Sequence, residues 1–143
     1  MRKPTLLVAI ALATSACGGG SDGVTVDDPW GRTSPMNAEL GAFYMTIENG
    51  ANTADRIVAG SSDRCSAIEF HNSSMDADGV MSMAPAPELF VVPAGGSLEL
   101  RPAGLHVMCV GLTAPLVDGE MVELDLEFEQ AGTVPVEVSV EDR

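Results

Sequence analysis

Short runs in which hydrophobic and polar residues alternate recur along most of the chain. The clearest is "MVELDLEFE", residues 121–129, in which apolar and acidic residues alternate strictly from Val122 onward. Because successive side chains of a β-strand point to opposite faces, this run predicts a strand with one buried and one solvated face. "VPVEVSVE", residues 134–141, repeats the pattern with valines, and the intervening "QAGT" predicts a hairpin turn.

Seven other runs have the same character, and no segment shows a sustained period of 3.6 residues. They are "GVTV", "AFYMTIEN", "RIVAG", "CSAIEFH", "ELFVV", "SLELR" and "LHVMCVGL". Nine short strands separated by turn residues predict an all-β, Greek-key β-sandwich. We expect one domain over residues 24–143, a length that buries a core without help from a cofactor.

The chain begins with a segment that does not belong to this pattern. Residues 1–16, "MRKPTLLVAIALATSA", combine two basic residues, an apolar run and small residues, which is the layout of a signal peptide. The apolar run is too short to span a bilayer, which needs about 20 residues. "TSAC" resembles a lipobox, so we expect lipidation at Cys17 and a flexible tether over residues 17–23; the alternative is an ordinary signal peptide that contains a Cys.

The predicted export and the net charge limit the classes of molecule that this domain can bind. Removal of residues 1–16 leaves 5 basic against 21 acidic residues, a net charge of −16. Such a charge disfavours nucleic acid and anionic lipid headgroups as partners. We therefore expect an exported domain on the periplasmic or cell-envelope face, held to the membrane only through its N-terminal lipid.

Two cysteines remain in the exported domain, Cys65 and Cys109. An oxidising compartment allows them to pair, although free thiols stay open as the alternative. Strand alternation places Cys65 on the same face as His71 but turns Cys109 away from His106. A β-bulge would bring the two cysteines onto one face and allow a disulfide.

The stretch "GLHVMCVGL", residues 104–112, carries the chemistry. Its alternation puts His106 and Met108 side by side on one face, and Leu105, Val107 and Cys109 on the other. Both histidines of the chain and four of its eight methionines fall within residues 71–108; they are His71, Met75, Met81, Met83, His106 and Met108.

A mixture of histidine and methionine favours copper. Thioether sulfur is soft and suits Cu(I), while imidazole binds copper in either oxidation state, so Cu(I) is the expected ion and Cu(II) stays open. Zinc and calcium sites need other donor sets. "DADG", residues 76–79, lacks the further ligands of a calcium loop, and we interpret it as a hairpin tip joining "HNSSM" to "VMSM".

Four segments together resemble the periplasmic copper chaperone family often called PCuAC: "DPWGRTSP", "GAFYMTIEN", "IEFHNSSMDADGVMSM" and "VPAGGSLELRPAGLHVMCVGL". The resemblance implies a cupredoxin-like β-sandwich and copper ligands at His71, Met83, His106 and Met108. Each of the two long ligand spacings exceeds the family pattern by one residue, and Asn72 occupies the optional Met position. Met81 and Met75 therefore stay open as a substitute ligand or as holders of a second copper ion.

The resemblance further implies an exported Cu(I) chaperone. Its expected recipient is the copper subunit of a respiratory terminal oxidase or a Sco-like thiol protein. Transfer without turnover means that we do not expect an enzyme, and both histidines are already assigned to the metal. We expect binding to weaken below about pH 6, as the imidazoles take up protons.

Two other functions remain open from the residues alone. A blue-copper electron carrier shares the sandwich fold, but its site needs a Cys ligand and two converging histidines with an axial Met. Cys109 faces away from His106 and Met108, which disfavours this class. A tethered binding domain without metal, with its methionines in the core, is the second alternative.

Overall fold

The computed structural model describes residues 23–143, and within them it contains ten β-strands, a single 3-10 turn at Pro87–Leu89 and no α-helix. The predicted signal peptide, Cys17 and the tether up to residue 22 lie outside the described residues. The strands are β1 (Val24–Arg32), β2 (Leu40–Asn49), β3 (Asp55–Ser61), β4 (Cys65–Met75), β5 (Met81–Pro85), β6 (Val91–Val92), β7 (Ser97–Leu100), β8 (Leu105–Leu112), β9 (Met121–Phe128) and β10 (Gly132–Glu141).

The strands hydrogen-bond in the order β5-β4-β8-β2-β1-β10-β9-β3-β6, and β7 pairs with the far half of β2. The sheet curls, so that β3 near one end of this order approaches β4 near the other. A β-carbon on Gly60 of β3 would lie 2.7 Å from Cγ2 of Ile68 on β4, and this close crossing requires a glycine. The predicted all-β, cupredoxin-like single domain is confirmed.

Two details differ from the sequence prediction. The tenth strand is β5, the second arm of the hairpin around residues 76–79, which the nine-strand prediction did not count. "ELFVV" is not one strand, since only Val91 and Val92 pair with β3. Pro87 begins a 3-10 turn instead, because a proline fixes its own φ and removes one hydrogen-bond donor.

The core follows the alternation of the strands. In β9 every even-numbered residue is buried and every odd-numbered one is exposed, as the pattern of apolar and acidic residues predicts. The largest fully buried side chains are Phe43, Phe90, Ile47, Ile57, Leu116, Leu124, Leu126, Val92, Val107, Val122, Val138 and Val140. Burial of this apolar surface is the main stabilising contribution to the fold.

The two predicted hairpins are present. In β9–β10, Phe128 pairs with Gly132 across the turn. In β4–β5, Met75 pairs with Met81. Oδ1 of Asp76 accepts hydrogen bonds from the backbone N–H groups of Asp78 and Val80, both at 2.9 Å, so this carboxylate organises the hairpin tip.

Cys65 and Cys109 are joined in a disulfide between β4 and β8, with their α-carbons 5.3 Å apart. The ladder between these strands skips Ser66 and Gly111. Gly111 has a φ of 66°, a left-handed conformation that glycine adopts without strain. Cys109 belongs to the core cluster, and Cys65 is partly buried against it. No helix within residues 23–143 is both long and apolar enough to cross a membrane.

Candidate metal centre

Three neighbouring strands bring the predicted donors onto one face of the sheet. In antiparallel strands, directly opposed residues point to the same side. His71 of β4 lies opposite His106 of β8, and Glu69 lies opposite Met108. Met83 of β5 lies opposite Ser73, two residues beyond His71 on β4. His71, Met83, His106 and Met108 therefore share the outer face, because the alternate residues of β4 and β8 pack into the core.

The closest pair of donors is Met83 and His106. Sδ of Met83 lies 3.1 Å from Nε2 of His106. The rings of His71 and His106 are 6.0 Å apart between centroids. Two donors that bind one ion at about 2.0–2.3 Å are about 3–4 Å apart, so the Met83–His106 contact has the spacing of two ligands of one metal.

Hydrogen bonding fixes which nitrogen of His106 is free. Nδ1 is 3.0 Å from the carbonyl oxygen of Gly104, which accepts a hydrogen bond and cannot donate one. Nδ1 therefore carries the proton, and the lone pair of the neutral ring is on Nε2, beside Met83. Burial lowers the pKa of His106 below its ordinary value of 6.5; the Gly104 contact opposes this, and the charge of His71 adds to it. The ring is thus held in the neutral form that binds metals.

His71 is fixed the opposite way round. Its Nε2 lies 2.7 Å from Oε2 of Glu69, and a carboxylate accepts the proton of that nitrogen in a hydrogen bond. Nδ1 is left buried, with no hydrogen-bond partner among residues 23–143. A buried polar atom without a partner is costly, and a metal bound at Nδ1 would remove that cost. The two histidines thus offer different nitrogens to the site.

Glu69 was not among the residues predicted from the sequence. It holds His71 through the carboxylate–histidine contact that often orients metal ligands in proteins. Its signal was present in the chain, because a residue two positions before His71 on a strand shares the face of His71. An acidic residue on a strand is, however, usually a solvated surface residue, and this second role became visible only from the side-chain contact.

The donors differ in exposure. His71, His106 and Met108 are 9%, 3% and 5% exposed, whereas Met83 is 48% exposed. A cleft of about 290 Å³ opens beside Met83 and Met108 and is also lined by Arg32 and Tyr44. The site therefore consists of three buried donors and one solvent-accessible thioether.

Met81 and Met75 lie farther from the histidines. They oppose each other next to the hairpin tip, and both are exposed. Met83 and Met81 were the two alternatives that the sequence left open. The structure places Met83 against His106, and Met81 lies two residues away on β5, on the same face.

The donor set is soft. Within residues 23–143 no group of three or more His, Cys, Asp or Glu residues has the arrangement of a metal site. Zinc and calcium sites of the usual composition require such a group. Cys109 packs into the core and is joined to Cys65 in a disulfide, so neither cysteine of residues 23–143 supplies a thiolate for a blue-copper centre. Two imidazoles and two thioethers fit Cu(I).

Aromatic residues continue from the donors across the same face. The ring of Tyr44 lies 6.2 Å from that of His106, and Trp30 lies 4.6 Å from Tyr44. The Arg143 guanidinium stacks over Trp30 at 4.4 Å and pairs with Asp28 at 3.0 Å. Trp30 is the only tryptophan of the chain, and its position makes it a fluorescent reporter of this face.

The fold and this donor face define a domain of the PCuAC type, and solved structures of that type match it. The copper-bound PCuAC domain from PmoF2 is 25% identical, covers 85% of this chain and 94% of its own, and superposes with a TM-score of 0.70. CuI-DR1885 from Deinococcus radiodurans is 27% identical over 82% of this chain and 79% of its own, with a TM-score of 0.59.

The comparison of sequences places the chain in a family. The family model described as "Putative lipoprotein LpqE-like" matches residues 24–140. The chain therefore belongs to the LpqE-like lipoprotein family, and the PCuAC-type resemblance predicted from the sequence is confirmed. A "Putative lipoprotein Lxx21020" from Leifsonia xyli subsp. xyli (strain CTCB07) is 29% identical over 151 residues, which cover 98% of this chain and 89% of the relative.

Proposed function

We propose that this protein is an exported Cu(I) chaperone that binds one copper ion through His71, Met83, His106 and Met108 and passes it to a partner protein. The observation that carries the proposal is the 3.1 Å contact between the free nitrogen of His106 and the sulfur of Met83. The unpartnered Nδ1 of His71 supports the proposal from the opposite strand. The copper-bound relatives support copper as the metal.

The chemistry of the donors favours Cu(I). Neutral thioethers and imidazoles stabilise the soft monovalent ion without releasing protons, provided that the histidines are neutral when it arrives. Methionine also suits an oxidising compartment, where free thiolates would be oxidised. Cys65 and Cys109 are tied in a disulfide, so the proposed site relies on imidazole and thioether donors and uses neither cysteine.

The unequal exposure of the donors suggests how copper leaves. A partner thiolate can approach beside Met83, which stands on the edge strand β5, and displace this thioether first. His71, His106 and Met108 hold the ion until the partner supplies further sulfur ligands. Thiolates bind Cu(I) more strongly than thioethers do, so exchange runs toward the partner without any substrate turnover.

The recipient belongs to the proposal as well. The PCuAC resemblance supports delivery to the copper subunit of a respiratory terminal oxidase, or to a Sco-like thiol protein. Membership of a lipoprotein family supports export and anchoring, with Cys17 as the proposed lipidated residue. A chaperone tethered through residues 17–23 would meet a membrane-bound recipient at high local concentration.

The test is a competition titration of the exported domain with a chromogenic Cu(I) chelator under reducing conditions. A second titration uses Cu(II) without reductant. We expect one tightly bound Cu(I) and much weaker binding of Cu(II). In the double variant His106→Ala, Met108→Ala tight Cu(I) binding should be lost, while Met121→Leu, which removes an exposed thioether on β9, should bind as the parent does. Equal Cu(I) affinity in the double variant and the parent would refute the assigned site.

A further inference from the structure

Three methionines form a row along the outer face of the β4–β5 hairpin. Met75 lies directly opposite Met81, and Met83 follows two residues after Met81 on β5. Opposed and alternate residues share a face, so all three thioethers of this methionine row point to the side that carries His71 and His106. Met83 belongs to the inner site already described, whereas Met75 and Met81 have no part in it.

Met75 and Met81 have the spacing of a two-donor site. The β-carbons of directly opposed residues in antiparallel strands are about 4.5–5.5 Å apart, which lets two flexible thioethers converge on one ion. Residues two apart on a strand are separated by about 6.6 Å, so Met83 is the next sulfur along the row. Its Sδ in turn contacts Nε2 of His106.

Neither methionine has a structural task that accounts for it. Met75 is 64% and Met81 is 48% exposed, and neither belongs to the core cluster. The hairpin is held by other groups: the backbone ladder, Asp76 at the tip, and the Ser74 and Ser82 hydroxyls, which lie 3.2 Å apart on the other face. β5 is an edge strand that pairs with β4 alone and is exposed throughout.

We propose that Met75 and Met81 form a second, outer Cu(I) site, through which the ion enters or leaves the inner site by way of Met83. This inference rests on the proposed function, since it assumes the inner copper site. In the inward step a Cu–S bond to Met83 forms as one to Met75 or Met81 breaks. Copper stays Cu(I), and neutral thioethers neither take up nor release a proton. The inner site binds more tightly because two imidazole nitrogens join its sulfurs.

The test follows methionine methyl groups by NMR in the exported domain labelled at the methionine methyl carbon, titrated with Cu(I) under reducing conditions. We expect the Met83 and Met108 signals to shift with the first equivalent, and those of Met75 and Met81 with the second. The rate of Cu(I) uptake from a weak donor complex is then compared in the parent, in the double variant Met75→Leu, Met81→Leu, and in the control Met121→Leu. Leucine conserves the apolar volume, so each variant is expected to fold.

In the double variant we expect uptake about tenfold slower than in the parent. The affinity of the inner site should stay within about twofold, and Met121→Leu should match the parent. Shifts at Met83 and Met108 with none at Met75 and Met81 would overturn the outer site alone, as would an unchanged uptake rate in the double variant. Absence of shifts at Met83 and Met108 would instead refute the inner site and the proposed function.

Discussion

The β9–β10 and β4–β5 hairpins are built alike, and they carry opposite chemistry on their outer faces. In β9–β10 the apolar residues point inward to the core, and the outer face is acidic, with Glu123 directly opposite Glu137. In β4–β5 the outer face carries methionines, and none of the five residues of β5 is buried. The apolar side chains of β9 from Val122 onward are buried in the core, whereas those of β5 are exposed.

This difference separates two uses of the same alternation. An acidic outer face needs no explanation beyond solvation, since charged side chains are normally exposed to water. An apolar outer face on an edge strand carries an aggregation risk and gives no burial in return. Under the proposed function a soft metal ion gives the β4–β5 arrangement a use, and His71 of β4 and His106 of β8 lie directly opposite each other on the same face.

The largest expected effect is on the free energy of unfolding, and it distinguishes a core residue of β9 from a proposed ligand on β5. Leu126 of β9 is fully buried, and Leu126→Ala should lower the free energy of unfolding by about 2–5 kcal/mol, because it leaves a cavity in the core. Met83→Leu on β5 should change it by less than about 1.5 kcal/mol. Urea unfolding with the disulfide intact measures both. A loss of equal size in the two variants would mean that Met83 serves packing.

The second effect is on copper. His106→Ala removes the nitrogen beside Met83, and we expect Cu(I) affinity to fall at least about a hundredfold, close to 2.7 kcal/mol. Competition with the Cu(I) chelator measures it. The double variant Glu123→Met, Glu137→Met places an opposed thioether pair on β9–β10 without histidines. If that engineered pair bound Cu(I) as tightly as the natural site, methionines alone would suffice and the role given to the histidines would be wrong.

A smaller effect on Cu(I) affinity is expected from Glu69 on β4–β5, and Glu123 on β9–β10 provides the matched control. Glu69→Gln weakens the contact that fixes His71, and we expect Cu(I) affinity to fall about tenfold. Glu123→Gln makes the same chemical change on the outer face of β9 and should leave affinity within about twofold. Nitrogen NMR of the apo protein provides a second readout, because Glu69→Gln should alter the tautomer of His71. An unchanged tautomer together with unchanged affinity would remove Glu69 from the site.

The smallest effect is on pH dependence. Burial lowers the pKa of His106 in the folded chain, whereas the unfolded chain protonates this histidine near 6.5. The unfolded state therefore binds more protons in that range, so the contribution of His106 to stability is full above 6.5 and is lost as the pH falls through the folded pKa. Unfolding measured from pH 7.5 to 5 should show a shallower loss in His106→Gln than in the parent. Parallel curves would contradict the lowered pKa.

The same shift sharpens the expectation that copper binding weakens below about pH 6. His106 resists protonation, so the weakening should begin at a lower pH than that of an exposed imidazole. A Cu(I) competition series across this range tests it, and a loss that begins above the ordinary imidazole pKa would contradict it.

Much of the fold and half of the site could be predicted from the chain. Strand alternation is a local property, so the buried face of β9 and the shared face of His106 and Met108 followed from spacing alone. The pairing of His71 with His106 is a register between strands, and nothing local determines it. Met83 and Met81 were indistinguishable by face, and the contact of Met83 with His106 is the feature that distinguishes them in the structure.

The other features that the sequence did not predict also depend on contacts between strands or side chains. Alternation places Cys65 and Cys109 on opposite faces, yet they form a disulfide, and the ladder between their strands is interrupted at Gly111, where a β-carbon would lie 2.5 Å from Oγ of Ser66. A glycine in an apolar run signals such a break without locating its partner. Glu69 looked like any acidic strand residue, because its role arises from a side-chain contact rather than from a pattern.

X-ray absorption at the copper edge of the Cu(I)-loaded exported domain tests the central claim most directly, because it counts nitrogen and sulfur ligands separately. At one equivalent of Cu(I) we predict two nitrogen and two sulfur ligands. The sulfur count should fall to one in Met83→Leu and stay at two in Met81→Leu. A spectrum without sulfur, or a sulfur count that falls in Met81→Leu and not in Met83→Leu, would contradict the assignment of His71, Met83, His106 and Met108.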